Sequence, residues 1–155
     1  MTMFEISKLM RSRDRGAALV ETAMILLLVL LLIAGLADLG RAFNEYIVIG
    51  EASHAGARYG SMNPSDADGT CTAVIQMAAY NGVTVLREVE EGLTATCGET
   101  VTNGDITITG LGCQPGDPIR VTVTHQFPTI MGGIIGFETI TMTCATEMAI
   151  VGATP

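Results

Sequence analysis

Four cysteines carry the clearest covalent chemistry in this sequence, and they lie at Cys71, Cys97, Cys113 and Cys144. The close C-x-x-C spacing that is typical of structural zinc sites does not occur, so we expect no metal. If this part of the chain is exported, an even number of cysteines favours two disulfides. Three pairings are possible. We favour Cys97–Cys113, which closes a local loop, together with Cys71–Cys144, which would tie a short helix to the last strand.

Other reactive side chains are sparse and scattered. The two histidines, His54 and His125, fall in different predicted elements, and ordinary surface or core roles suit them better than catalysis. Asp66 and Asp68 imitate the start of a calcium loop, but the twelfth position holds Met77 where such a loop needs a glutamate. G-x-S-x-G, P-loop and H-E-x-x-H patterns do not occur. We therefore expect neither an enzyme nor a cofactor.

One carboxylate, Glu21, lies inside a long apolar segment at residues 17–37. As a helix this segment extends about 31 Å, enough to cross a bilayer. A basic cluster precedes it, so the positive-inside rule places the amino terminus in the cytoplasm and the remainder outside. A cleaved secretory signal would have a shorter apolar region. A plain single-pass anchor fits the length and the flanks but assigns no role to Glu21.

The charge is distributed unevenly along the chain, whose formal net charge is −8. Four basic and two acidic residues precede Gly16, whereas four basic and fourteen acidic residues follow it. Because an acidic domain repels phosphate groups, we do not expect the exported part to bind nucleic acid.

The segment RGAALVE at residues 15–21, the apolar run and the later AGARYGS at residues 55–61 together resemble the TadE-like family. These are pilin-like proteins of tight-adherence (Tad) pilus systems, related to type IV pilins and pseudopilins. The resemblance covers about residues 13–61. Thr22 stands where the small pilins of these systems usually have Tyr, and Ala17 is not aromatic, which fits a TadE-like pseudopilin better than a major pilin.

The resemblance implies specific roles for three residues. A prepilin peptidase would cut between Gly16 and Ala17, and Glu21 would become the fifth residue of the mature chain. That glutamate would pair with the amino terminus of a neighbouring subunit and so set the register of assembly.

The implied function is that of a minor pilin or pseudopilin of a Tad pilus, active in pilus assembly and surface adhesion. Its partners would be the peptidase, other pilin or pseudopilin subunits, the assembly platform of the inner membrane and the lipid bilayer. The alternative is an uncleaved single-pass membrane protein whose exported domain binds a ligand or the cell wall.

The remaining pattern predicts an α+β fold, with a long transmembrane and assembly helix, one short helix and an antiparallel sheet of three or four strands. An apolar stripe at helical spacing continues the first helix to about Tyr59, and it consists of Leu36, Leu39, Phe43, Tyr46 (or Ile47) and Gly50. Its small residues favour packing on the domain's own sheet, with a neighbouring helix as the alternative. We divide the chain into a cytoplasmic leader (1–16), a transmembrane helix (17–37), an exported extension of that helix (38–60) and an exported α+β domain with disulfides (61–155).

Within that last domain, residues 65–70 read as a loop and residues 72–80 as the short helix. Threonine alternating with valine or isoleucine then predicts strands. Residues 127–137 read as a mobile apolar loop, which is either a contact surface or buried beneath the sheet. The predicted strands lie at residues 83–85, 93–97, 106–109, 119–125 and 140–148.

Overall fold

The computed structural model of the chain has an α+β architecture, which confirms the predicted fold class. It describes residues 3–87, 97–136 and 138–151, without the side chains of residues 3–15, 134 and 135. The chain divides into two compact units, Met1–Leu39 and Gly40–Pro155. The elements in chain order are α1 (Met3–Met62), α2 (Ala67–Tyr80), β1 (Thr100–Asn103), β2 (Ile106–Thr109), β3 (Pro118–Pro128), α3 (Gly132–Ile135) and β4 (Thr139–Ala149).

The four strands form one antiparallel sheet in the order β1-β2-β3-β4. Each strand pairs with its neighbour in sequence: a two-residue turn, residues 104–105, connects β1 to β2, and an eight-residue loop, residues 110–117, connects β2 to β3. The β3–β4 ladder is the longest, and it runs without interruption from the pair Pro118–Ala149 to the pair Pro128–Thr139. Because side chains alternate along a strand, Ile119, Val121 and Val123 of β3 all point into the core.

The carboxyl-terminal part of α1 covers this sheet through its smallest residues. Gly56 and Gly60 are buried, and a side chain at either would collide with its neighbours. A Cβ atom at Gly56 would approach Val74 of α2 and come within 3.2 Å of Val121, while one at Gly60 would approach Ile119 and lie 3.1 Å from Thr70. The small residues at these two positions thus let α1 lie close to both α2 and β3, as expected.

The apolar stripe predicted on this part of α1 does not face the sheet. Phe43, Tyr46 and Ile47 are exposed, whereas Val48 and Ile49 are buried. The spacing therefore identified the helix but not its buried face.

Other local predictions need correction. Helix α2 begins at Ala67, so most of the predicted 65–70 loop is helical. Residues 83–85 form no strand although Val83 and Val85 are buried, while residues 100–103, not predicted as a strand, form β1. Residues 93–96 of another predicted strand lie outside the described residues.

The predicted mobile loop at residues 127–137 contains regular structure instead, although the burial of Phe127 agrees with the second interpretation of this segment. Phe127 is a fully buried part of β3, and α3 follows it. Phe137 lies outside the described residues.

Candidate functional site

The predicted cleavage pair and Glu21 all lie on α1, in the unit Met1–Leu39. Gly16, Ala17 and Glu21 are exposed. Ala17 and Glu21 are four residues apart, which places them one above the other on the same face of the helix. Next to Glu21, the Thr22 hydroxyl donates to the carbonyl of Ala18 at 2.8 Å, so the hydroxyl has its hydrogen-bond acceptor within the same helix.

The large apolar side chains that follow Glu21 are exposed as well. Their exposed fractions range from 70% at Met24 to 43% at Val29. Among the described residues, Gly16–Met62 is the one stretch of helix long and apolar enough to cross a membrane. An apolar helix surface of this size fits a membrane anchor, in which lipid or other apolar helices cover it.

Two contacts hold α1 against β3 in the unit Gly40–Pro155. Nε2 of His125 lies 3.1 Å from Oε2 of Glu45, with both side chains largely buried. Arg41 lies over the ring of Phe127, 5.1 Å from its centroid, at a distance suited to a cation–π interaction. Local sequence pattern could not predict the contact between His125 and Glu45, because the two residues are 80 positions apart in the chain.

Asp66, part of the rejected calcium pattern, has a structural role instead. Its Oδ1 accepts a hydrogen bond from the amide of Gly69 at 2.8 Å, and its Oδ2 accepts one from the Tyr59 hydroxyl at 2.8 Å. The other carboxylate of the pattern, Asp68, pairs with Arg87. Asp66 is thus the N-cap of α2 and links that helix to α1.

The structure joins Cys97 to Cys113 by a disulfide, with the two Cα atoms 4.5 Å apart. It does not join Cys71 to Cys144, which corrects the second favoured pairing: both of these cysteines are free. Cys71 is buried on α2, whereas Cys144 is half-buried on β4 with its Sγ 3.8 Å from the carbonyl oxygen of Tyr46. Burial raises the pKa of the Cys71 thiol, although the Arg87 guanidinium acts in the opposite direction.

The sulfurs of the disulfide also approach the carboxylate of Asp117 closely enough to suggest a metal site. Because both sulfurs are consumed in the disulfide, neither can ligate a metal ion as a thiolate. Asp117 instead accepts a hydrogen bond from the amide of Gln114 at 3.1 Å, within a turn.

A groove of about 680 Å³ lies between α1 and α2. Its wall is mainly apolar, and His54 stands in it between Glu51 and Arg58. The second histidine, His125, contacts Glu45 and does not line this groove. The groove could not be predicted from the sequence, because its walls come from two helices whose packing depends on tertiary contacts.

Comparison with known protein families gives a match over part of α1. The family model described as TadE-like protein matches residues 16–58. No curated protein and no solved structure matches the chain. Proteins of the matched family are associated with Tad pili and are typically structural, not enzymatic. The match confirms the resemblance to the TadE-like family, over the part of α1 that runs from Gly16 through the apolar segment to Arg58.

Proposed function

We propose that this chain is a minor pilin or pseudopilin of a Tad pilus, acting in pilus assembly and surface adhesion. In this proposal residues 1–16 are a cytoplasmic leader and residues 17–37 cross the inner membrane. Residues 38–60 continue the helix outside, and residues 61–155 form the exported domain. The family match and the apolar helix support a pilus-associated membrane protein.

The exposed apolar surface of α1 is the observation that carries the proposal. Side chains from Leu19 to Leu36 are left uncovered on this helix. Lipid can cover them while the protein is in the membrane, and the apolar helices of other subunits can cover them in a filament. A helix that is to move from one environment to the other needs an apolar surface on all sides.

Glu21 is the one charged residue in this apolar surface. The free-energy cost of burying its carboxylate in lipid is the basis of its proposed role in subunit register. A carboxylate in the bilayer costs about 2.5–3.5 kcal/mol on insertion scales, so a partner of opposite charge is strongly favoured. Cutting the chain before Ala17 creates such a charge, the new terminal ammonium. A neighbouring subunit in the correct register matches its ammonium to this carboxylate, whereas a misplaced subunit leaves a buried charge unpaired.

The first experiment determines the mature amino terminus. The protein is isolated from membranes of strains with and without the prepilin peptidase, and its intact mass and terminal sequence are measured. We expect a peptidase-dependent start at Ala17. Gly16→Val should block the cut because the added side chain occupies the scissile position. Gly35→Val is the matched control, since Gly35 lies on the same helix with open space around it, and it should leave cleavage unchanged.

A start at Met1 in both strains would overturn the proposal. It would leave the uncleaved single-pass protein as the better hypothesis. The groove between α1 and α2 supports that alternative, because an apolar concavity with a few polar side chains is typical of ligand sites.

The second experiment tests the register role. Glu21→Gln retains the shape and removes the charge, so cleavage should persist while incorporation into pili falls. Normal incorporation of this variant would remove Glu21 from the assembly mechanism and leave the cleavage result intact.

A further inference from the structure

Strands β3 and β4 are joined by residues 129–138, a segment that we call the hairpin tip. Its base is closed by a hydrogen bond from the amide of Thr129 to the carbonyl oxygen of Glu138 at 3.1 Å. Helix α3 lies within the tip and ends where the amide of Gly136 donates to the carbonyl of Gly132 at 2.8 Å. The tip is thus a folded projection from one end of the sheet.

The contacts between α1 and β3 show at which end of the unit Gly40–Pro155 the tip lies. Four contacts follow one another along the two elements, and they join Arg41 to Phe127, Glu45 to His125, Gly56 to Val121 and Gly60 to Ile119. Helix α1 therefore runs antiparallel to β3, and the carboxyl end of β3 lies where α1 enters the unit. Because the tip follows that end of β3, it lies on the side of the domain from which the chain arrives.

The chain connection holds this side of the domain close to the proposed membrane segment. Arg41, which lies over the ring of Phe127, is four residues beyond Ala37, the last residue of that segment. Four helical residues extend about 6 Å, and even a fully extended chain of four residues spans at most about 14 Å. The headgroup layer on each side of the hydrocarbon core is about 5–8 Å thick. If residues 17–37 cross the membrane, Arg41 and Phe127 therefore lie near headgroup level, with the tip directly after them.

The composition of the tip suits a bilayer surface. Glu138, at its base, is its single charged residue. Ile130 on the tip is 64% exposed, and Phe43, six residues beyond Ala37 on α1, is 65% exposed. Contact with lipid would cover such side chains and remove apolar surface from water. By sequence, half of the residues of the tip are apolar: Ile130, Met131, Ile134, Ile135 and Phe137.

We propose that the hairpin tip inserts apolar side chains into the surface of the same bilayer that holds α1. The exported domain then contacts the membrane at two places, through α1 and through the tip. Lipid is the occupant that the structure favours, because four residues of α1 are enough to hold this end of the domain at the bilayer. The inference rests on the membrane segment of the proposed function, but it depends neither on cleavage after Gly16 nor on Glu21.

The test uses tryptophan fluorescence, because the chain contains no tryptophan and one introduced indole reports on a single site. Variants of the full chain are reconstituted in phosphatidylcholine vesicles whose acyl chains are either ordinary or brominated, since bromine quenches an indole that it contacts. Ile130→Trp reports on the tip. Val151→Trp is the matched control, because Val151 is also exposed and apolar but lies beyond the far end of β4, whose eleven residues extend about 35 Å. Leu28→Trp reports on the apolar segment of α1.

We expect Ile130→Trp and Leu28→Trp to lose most of their emission in brominated vesicles, and Val151→Trp to keep its emission. Quenching of Leu28→Trp without quenching of Ile130→Trp would overturn the inference and leave the membrane segment intact. Absence of quenching in all three variants would overturn the membrane segment as well. Equal quenching of Ile130→Trp and Val151→Trp would show that the contact is not specific to the tip.

A second measurement separates the contact from the affinity of tryptophan itself for membrane interfaces. The reporter Ile140→Trp stands at the start of β4, beside the tip, and it is combined with either Ile130→Asp or Ile130→Leu. Aspartate should reduce the quenching of this reporter because a carboxylate opposes burial of the tip in lipid, whereas leucine should preserve it. Hydrogen exchange of the β3 amides checks that both variants are folded. Equal quenching in the two folded variants would overturn the inference.

Discussion

Replacing Asp66 by alanine should loosen helix α2 selectively. The carboxylate holds two donors at once, the Gly69 amide and the Tyr59 hydroxyl, each at 2.8 Å. Alanine leaves both donors without this acceptor. The first loss uncaps α2, and the second detaches α2 from α1.

The expected magnitude follows from these two bonds. Loss of an N-cap side chain costs about 1 kcal/mol. A hydrogen bond from Tyr59 to a charged acceptor contributes about 1–2 kcal/mol at this half-buried position. Asp66→Ala removes both interactions at once, so we expect it to cost about their sum, 2–3 kcal/mol. Asp66→Asn keeps an oxygen for the Gly69 amide but removes the charged acceptor of the Tyr59 hydroxyl, so it should cost about 1–2 kcal/mol. Tyr59→Phe removes the second bond alone.

Hydrogen exchange of the full chain, measured by mass spectrometry on peptides from α2, provides the assay. A loss of about 2–3 kcal/mol speeds exchange through local opening by about 30- to 150-fold. Asp117→Ala is the matched control, because it removes an aspartate that accepts an amide hydrogen bond in a turn at Gln114. It should leave exchange in α2 unchanged.

Two results would refute this reasoning. If Asp66→Ala and Asp66→Asn speed exchange equally, the oxygen that both Asp and Asn can offer the Gly69 amide makes no contribution. If Tyr59→Phe has no effect, the link between α1 and α2 does not depend on the hydroxyl.

Two further predictions concern packing and thiol chemistry. Gly56→Ala should lower the free energy of unfolding, because overpacking costs about 1–3 kcal/mol. Gly50→Ala should raise the free energy of unfolding by about 0.5–1 kcal/mol, since the atom nearest to its Cβ would lie at an ordinary 3.9 Å. Denaturant titration measures both changes, and two changes of the same sign would contradict the packing. Alkylation at pH 8 should modify Cys144 before Cys71, because Cys71 is fully buried and its raised pKa keeps it a thiol. This preference should disappear in denaturant. Equal alkylation rates of the two cysteines in the native protein would contradict the burial of Cys71.

Local pattern was sufficient to predict most of the secondary structure. All four strands carry threonine alternating with valine, isoleucine or methionine, a period that requires no knowledge of the partner strand, and it predicted β2, β3 and β4. The apolar run lacks proline and so predicts a helix wherever it lies. The proposed cleavage pair, Gly16 and Ala17, and the proposed register residue, Glu21, could also be identified from sequence alone, because the proposal depends only on their spacing along one helix.

Tertiary contacts decided the remainder. Asp66 begins α2 in contact with Tyr59 of another helix, a partner that the local loop pattern cannot indicate. Val83 and Val85 alternate like a strand, yet no strand pairs with them in the part of the chain that the structure describes. Cys71 and Cys144 have chemistry that allows a disulfide, but the fold places one in the core and the other on an edge strand. Sequence determines what each segment can form locally, whereas partners, buried faces and open edges exist only once segments distant in the chain are packed together.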